Sequence, residues 1–243
     1  MAITIKSERE IELMAEAGKI LERVHNELEK ALRPGMSTKD IDTLGEEIIR
    51  SYGCIPSFLN YNGYPASICV SVNQEVVHGI PDKHRIIQEG DIVSLDAGVI
   101  YKGYHSDAAR THAVGEVSEE AKKLIQVTKE SFFEGIKFAK AGNHLFDICG
   151  AIGRYAEERG YGVVRDLCGH GIGTALHEAP EIPNYEVGRK GVRLRPGMTL
   201  AIEPMINIGT HEVDWLDDDW TVVTRDGSLS AHYENTILIT EGE

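Results

Sequence analysis

Two acids interrupt the apolar runs of GDIVSLDAGVIYKGYHSDAART, residues 90–111: Asp96 and Asp107. β-Branched and apolar residues flank Lys102-Gly103, where glycine accepts the positive φ of a tight turn, so the segment reads as a β-hairpin. With that two-residue turn Asp96 opposes Ala109 and Asp107 lies on the adjacent diagonal, about 7–8 Å away between backbones. Both carboxylates then share one face. Like charges held so close cost energy unless a cation lies between them. The plainer alternative is a solvent-facing hairpin whose acids keep the sheet soluble.

An internal repeat enlarges the set. Gly35 and Asp40 recur as Gly142 and Asp147, and Asp96 recurs as Glu203 in PGMTLAIEPM, all offset by 107. HSDAART then aligns with HYENTIL, matching Asp107 to Glu234 at an offset of 127, which leaves about 20 extra residues in the second hairpin's loop. Each half supplies two acids. A His-Gly-Ile core also repeats, in VVHGIP around His78 and CGHGIG around His170. A lone histidine in an apolar strand is more often a satisfied core residue than a ligand. Four converging carboxylates change that balance, because two divalent ions offset the charge and leave room for an activated water or hydroxide. An oxygen-rich set with one imidazole suits Mn, Fe, Co or Zn.

The elements that must position these groups are helices near 7–32, 37–52, 118–140 and 144–160, with strands clustered at 67–114 and 163–240. This is an α+β pattern: two αβ halves, about 7–114 and 118–240, pairing antiparallel sheets about a pseudo-twofold axis within one domain, 1–243. No low-complexity linker divides them. With 243 residues, 42% hydrophobic and 26% charged, the chain can bury a full core. A formal net charge of −14 argues against a nucleic-acid substrate. The N-terminus lacks an apolar h-region and no run is long enough to span a membrane, so a cytoplasmic protein is expected. Four cysteines without a CxxC pair fit buried thiols in a reducing compartment and not a zinc finger.

In order and spacing, Asp96, Asp107, His170, Glu203 and Glu234 resemble the five metal ligands of the type I methionine aminopeptidases, peptidase family M24. NGYPASICVSVNQEVVHGIP, GHGIG, IEPM and SLSAHYENT extend the resemblance over nearly the whole chain. It implies the pita-bread fold and a hydrolase that removes initiator methionine from nascent chains when the next residue is small. The chain looks like the short bacterial form, without the zinc-binding extension of eukaryotic type I enzymes or the insertion of type II. By resemblance Asp107 and Glu234 bridge two divalent ions (Co, Mn, Fe, Zn or Ni), Asp96 chelates one, and His170 with Glu203 completes the other. Glu203 also shuttles the proton, while His177 and His78 contact the scissile peptide as catalytic and substrate-binding groups. Tyr61, Tyr64, Cys69 and Trp220 build the methionine pocket, with Phe58 and Leu176 at its rim, where many bacterial relatives have cysteine and phenylalanine. His105 and His232 are supporting or structural. A monovalent cation (Na or K) near Asn73 and Ser230, transient ribosome contact and a monomeric state complete what the resemblance implies.

Three rivals share the fold. Proline-specific aminopeptidases and prolidases normally carry an additional N-terminal domain. Metal-free peptide- or histone-binding modules lose ligands, and creatinase-like hydrolases work without metal. Filled ligand positions argue against the last two.

Overall fold

The computed structural model describes residues 3–242. The first half runs α1 (Glu8–Ala31), α2 (Thr38–Ser51), β1 (Ile55–Pro56), β2 (Ile68–Val72), β3 (Glu75–Val77), β4 (Ile92–Tyr101) and β5 (Tyr104–Ala113). The second runs α3 (Glu119–Ile136), α4 (Leu145–Glu157), β6 (Gly162–Val163), β7 (Gly169–Gly171), β8 (Glu178–Ile182), β9 (Thr199–Ile202), β10 (Met205–Asn207), β11 (Val213–Trp215), β12 (Val222–Thr224), β13 (Ser230–His232) and β14 (Asn235–Leu238). Helix α3 stops four residues short of the expected 140. The two-residue β1 lies upstream of the expected strand clusters.

Helix α1 buries Met14, Ala17, Leu21, Val24 and Leu28, spaced three and four apart, against β4 and β5. Helix α3 does the same in the other half with Leu124, Val127, Thr128, Ser131 and Phe132. The repeated Gly-Asp motif is a helix start: Asp40 accepts from the Ser37 amide and Asp147 from the His144 amide, each at 2.8 Å. Caps of this kind contribute about 1 kcal/mol apiece.

The halves are related by the 107-residue offset down to single hydrogen bonds. Ile87 N donates to Met36 O as Leu194 N does to Asn143 O, both at 2.8 Å, and the bridge Ser37↔Ile86 recurs as His144↔Arg193. Across the hairpins the offset changes. Ile92 pairs with Ala113, whereas Thr199 pairs with Leu238, so the returning strand is offset by 125 and not by the 127 that aligned HSDAART with HYENTIL. Backbone pairing sets this register, and a match of acidic side chains does not report it. The connecting loop is correspondingly shorter than expected: twenty residues, 209–228, against the two of Lys102-Gly103 (φ 49° and 87°).

The seam between halves follows the corrected offset. Glu234 N donates to Ala109 O at 2.9 Å and Ala109 N to Glu234 O at 3.4 Å, a pair lying on the pseudo-twofold axis. Asp107 N donates to Thr236 Oγ1 at 2.9 Å, and His232 N donates to Thr111 Oγ1 at 2.8 Å, its equivalent across the axis. Asp107 is thus the counterpart of His232, Glu234 of Ala109, and Asp96 of Glu203.

Candidate active site

Strand β4 presents Asp96 opposite Ala109 on β5 and Cys69 on β2, while β5 presents Asp107 opposite Gly98. Glu203 directly follows β9, Glu234 sits between β13 and β14, and His170 is the middle residue of β7, paired with Ala201. All five line one cavity of about 300 Å³. The expected convergence is observed. Asp107, His170 and Glu234 each offer a donor atom within 4.8 Å of the others.

The His170 tautomer is set by its backbone. Its Nδ1 lies 2.8 Å from Gly171 O, a carbonyl that can only accept, so Nδ1 carries the proton and Nε2 a lone pair. That Nε2 faces Asp107 Oδ2 at 3.8 Å and Glu203 Oε1 at 3.6 Å. Burial pushes His170 down to about 4, so protonation does not relieve the contact at neutral pH. Asp96 Oδ1, Asp107 Oδ1 and Glu234 Oε1 are buried without a hydrogen-bond partner. Burial raises Asp96 to about 7 and holds Asp107, Glu203 and Glu234 well above the usual carboxylate range, with neighbouring acids adding to the last three. Each buried, unpaired carboxylate costs several kcal/mol. Lone pairs aimed inward from four acids and an imidazole fit divalent cations, and the carbonyl that accepts from His170 Nδ1 is the support metal-ligating histidines usually have.

Around this centre stand the aromatic groups. Tyr64 packs edge-on against Trp220 with centroids 5.1 Å apart, and its hydroxyl donates to Gly79 O at 3.0 Å. Trp220 lies in the loop 209–228, where Asp218 accepts from the Trp220 and Thr221 amides at 2.9 and 2.7 Å. That turn makes Asp218, one of the three consecutive acids before Trp220, a loop staple. Strand β12 of the same loop pairs with β3, bringing Trp220 within 6.3 Å of His78, which has φ 59°. Phe58, Tyr61, Cys69 and Leu176 line the same cavity, with Asn62, which sequence reasoning did not single out. Burial keeps the Cys69 thiol protonated, as an apolar wall requires.

His177 is exposed, shares a 2.7 Å hydrogen bond with Tyr61 Oη through Nδ1, and has its ring centroid 4.1 Å from that of His170, the two planes tilted by 51°. His78 lines the same cavity. The glycines of the His-Gly motif serve backbone packing: a Cβ on Gly171 would fall 2.1 Å from Ala179 O, and one on Gly79 2.4 Å from Val70 O. Two further histidines are buried. His105 Nδ1 lies 3.0 Å from Ser57 Oγ, and His232 Nε2 is 3.9 Å from Glu203 Oε2. Asn184 Nδ2 donates to Glu203 O at 3.0 Å, and Thr236 clamps the Asp107 backbone. Neither carried a sequence signal, since they act across 19 and 129 positions respectively, each through a single polar atom. Asn73 and Ser230 adjoin, with Ser230 N donating to Asn73 O at 2.9 Å.

Among the described residues no helix is long and apolar enough to cross a membrane. The sequence profile of metallopeptidase family M24 matches residues 12–241. A methionine aminopeptidase of Clostridium acetobutylicum is 58% identical, over 98% of this chain and 96% of its own. The crystal structure of a methionine aminopeptidase from Thermotoga maritima superposes with a TM-score of 0.97 at 48% identity, covering 99% of this chain and 97% of that one. An Xaa-Pro dipeptidase from Bacillus anthracis is more distant, with a TM-score of 0.78 and 29% identity, and the match covers 98% of this chain but 59% of the dipeptidase.

Proposed function

This chain belongs to the methionine aminopeptidases of metallopeptidase family M24, and from that premise we propose how its own residues carry out the reaction. It is a divalent-metal hydrolase that removes N-terminal methionine. Asp96, Asp107, His170, Glu203 and Glu234 would hold two divalent ions drawn from Co, Mn, Fe, Zn or Ni. Ions bound there would polarise the scissile carbonyl and bring the pKa of water towards neutrality. The observation that carries this reading is the unprotonated His170 Nε2 facing two carboxylate oxygens.

Glu203 accepts the proton of the attacking water and returns it to the departing nitrogen. His177, with Nδ1 engaged by Tyr61, turns Nε2 towards the peptide and donates to the carbonyl oxygen as negative charge develops. His78 binds on the leaving-group side. The methionine side chain enters between Tyr64, Cys69 and Trp220, where sulfur–ring and dispersion contacts suit a thioether. Phe58 and Leu176 narrow the rim, and Tyr61 orients His177. Asn73 and Ser230 would hold a monovalent cation (Na or K). The whole chain acts as one catalytic unit, a cytoplasmic monomer that meets its substrates as they leave the ribosome.

Rates on Met-Ala-Ser and Met-Lys-Ser peptides, with each metal added in turn to metal-free protein, test the reading. Cleavage of the first with sparing of the second is expected, because a narrow cleft rejects a long second residue. Equal rates on both, or full activity in chelator, would sink it.

A further inference from the structure

The segment before α1 is fastened to the loop that carries His177. Lys6 is buried and places its ammonium 2.7 Å from Glu178 Oε2, with side-chain exposures of 4% and 12%. Thr4 Oγ1 donates to the same oxygen at 2.6 Å, and Lys6 Nζ also bonds Thr4 Oγ1. The other oxygen, Glu178 Oε1, accepts from the Ala175 amide at 3.3 Å, so one carboxylate closes the loop upon itself and ties it to the N-terminal segment. Lys6 N donates to Gly197 O at 2.8 Å, anchoring that segment to the second half of the chain. Gly173 makes the room: a Cβ there would stand 2.5 Å from both Lys6 Cε and Glu178 Oε1.

His177 lies beside this knot, exposed, with its Nδ1 bonded to Tyr61. Its ring therefore goes where the backbone of residues 173–178 puts it. We propose that the Lys6–Glu178 ion pair is a positioning device that holds His177 against the scissile peptide, so that the chain's N-terminal segment is part of the catalytic apparatus without touching substrate. The inference rests on the role given to His177 above. Replacing the ammonium by an apolar chain leaves the Glu178 carboxylate partly buried without a counter-charge, which loosens the loop. Misplacement of a catalytic group by about 1 Å can cost on the order of 100-fold in rate.

The test compares the full-length, metal-reconstituted wild type, Lys6→Met, His177→Ala and the double variant on Met-Ala-Ser. Lys6→Met should lower kcat by roughly 10–100-fold with KM within about threefold and metal content unchanged. Adding Lys6→Met to His177→Ala should cost nothing further, because the group being positioned is gone. A folded Lys6→Met with wild-type kcat, or the same loss in both backgrounds, overturns the proposal. Should Lys6→Met not fold, Thr4→Val removes one bond to Glu178 and must show the same dependence on His177 with a smaller loss. Amide exchange at residues 175–178, faster in Lys6→Met than in wild type, reads the tether without using activity. If wild type fails to cut the peptide, the functional reading falls while exchange still decides the tether, and unchanged exchange sinks it.

Discussion

The hairpins β4–β5 and β9–β14 share a register and do different work. The first is two unbroken ten-residue strands joined by two residues, and both its acids stand within the ladder. The second breaks after β9 and again before β14, and Glu203 and Glu234 occupy those breaks. Its loop of twenty residues reaches back to pair β12 with β3 and sets Trp220 beside His78 of the other half. Chemistry at the axis is asymmetric as a result: Asp107 has His232 as counterpart, and Glu234 has Ala109. A duplicated scaffold supplies matched backbone positions, while the ligand set is chosen separately on each side.

The strongest test of that asymmetry pits Asp107 against His232. Asp107→Asn should abolish activity and weaken metal retention together, because a neutral amide supplies no charge to a bound cation. His232→Asn should cost only on the order of 10–100-fold, the usual loss for a group supporting a ligand. Equal losses, measured with metal stoichiometry on the same preparations, would make the two sides equivalent and break the comparison.

His177→Ala separates catalysis from metal binding on the second side. A fall in kcat of roughly 10²–10³-fold is expected with metal content near wild type. Lost metal in a folded variant would turn His177 into a ligand instead. Trp220→Ala probes what the long loop adds: KM for Met-Ala-Ser should rise roughly tenfold while kcat changes little, as for lost contact with an apolar side chain. An unchanged KM would leave the loop without a part in the methionine pocket.

The smallest effect concerns stability. The raised carboxyl groups, Asp96 at about 7 among them, bind protons more tightly in the folded chain than in the unfolded one. Their contribution is therefore full below about pH 4 and is lost as pH rises through the folded values. Bound metal removes that loss. Chelated and metal-loaded proteins should differ more in Tm at pH 8 than at pH 6, by a few degrees at about 2–4 °C per kcal/mol. A gap that narrows with rising pH would mean that the acids are not the groups relieved by metal.

Much of this site was legible in the chain. The apolar runs and Lys102-Gly103 specify the first hairpin, and the strand period of two puts Asp96 and Asp107 on one face, because strand geometry is local. The Gly-Asp repeat marks two helix starts for the same reason. The ligand set and pocket were reached through resemblance in motif and spacing, which reports chemistry without reporting register.

Register is where sequence and structure parted. HSDAART and HYENTIL match in side-chain type at an offset of 127, whereas hydrogen bonds at the seam demand 125, and only backbone pairing between halves distinguishes the two. Asn184 beneath Glu203, Thr236 under Asp107 and Lys6 on Glu178 were likewise invisible, each joining segments far apart in sequence through one polar atom. By itself the sequence determined which acids and imidazoles are present, and which elements carry them, since strand periodicity and helix caps are set by neighbours along the chain. Tertiary structure alone decided which tautomer His170 adopts, which oxygens stay unpaired and which segment holds His177, because those outcomes depend on desolvation and on partners that only folding brings within reach.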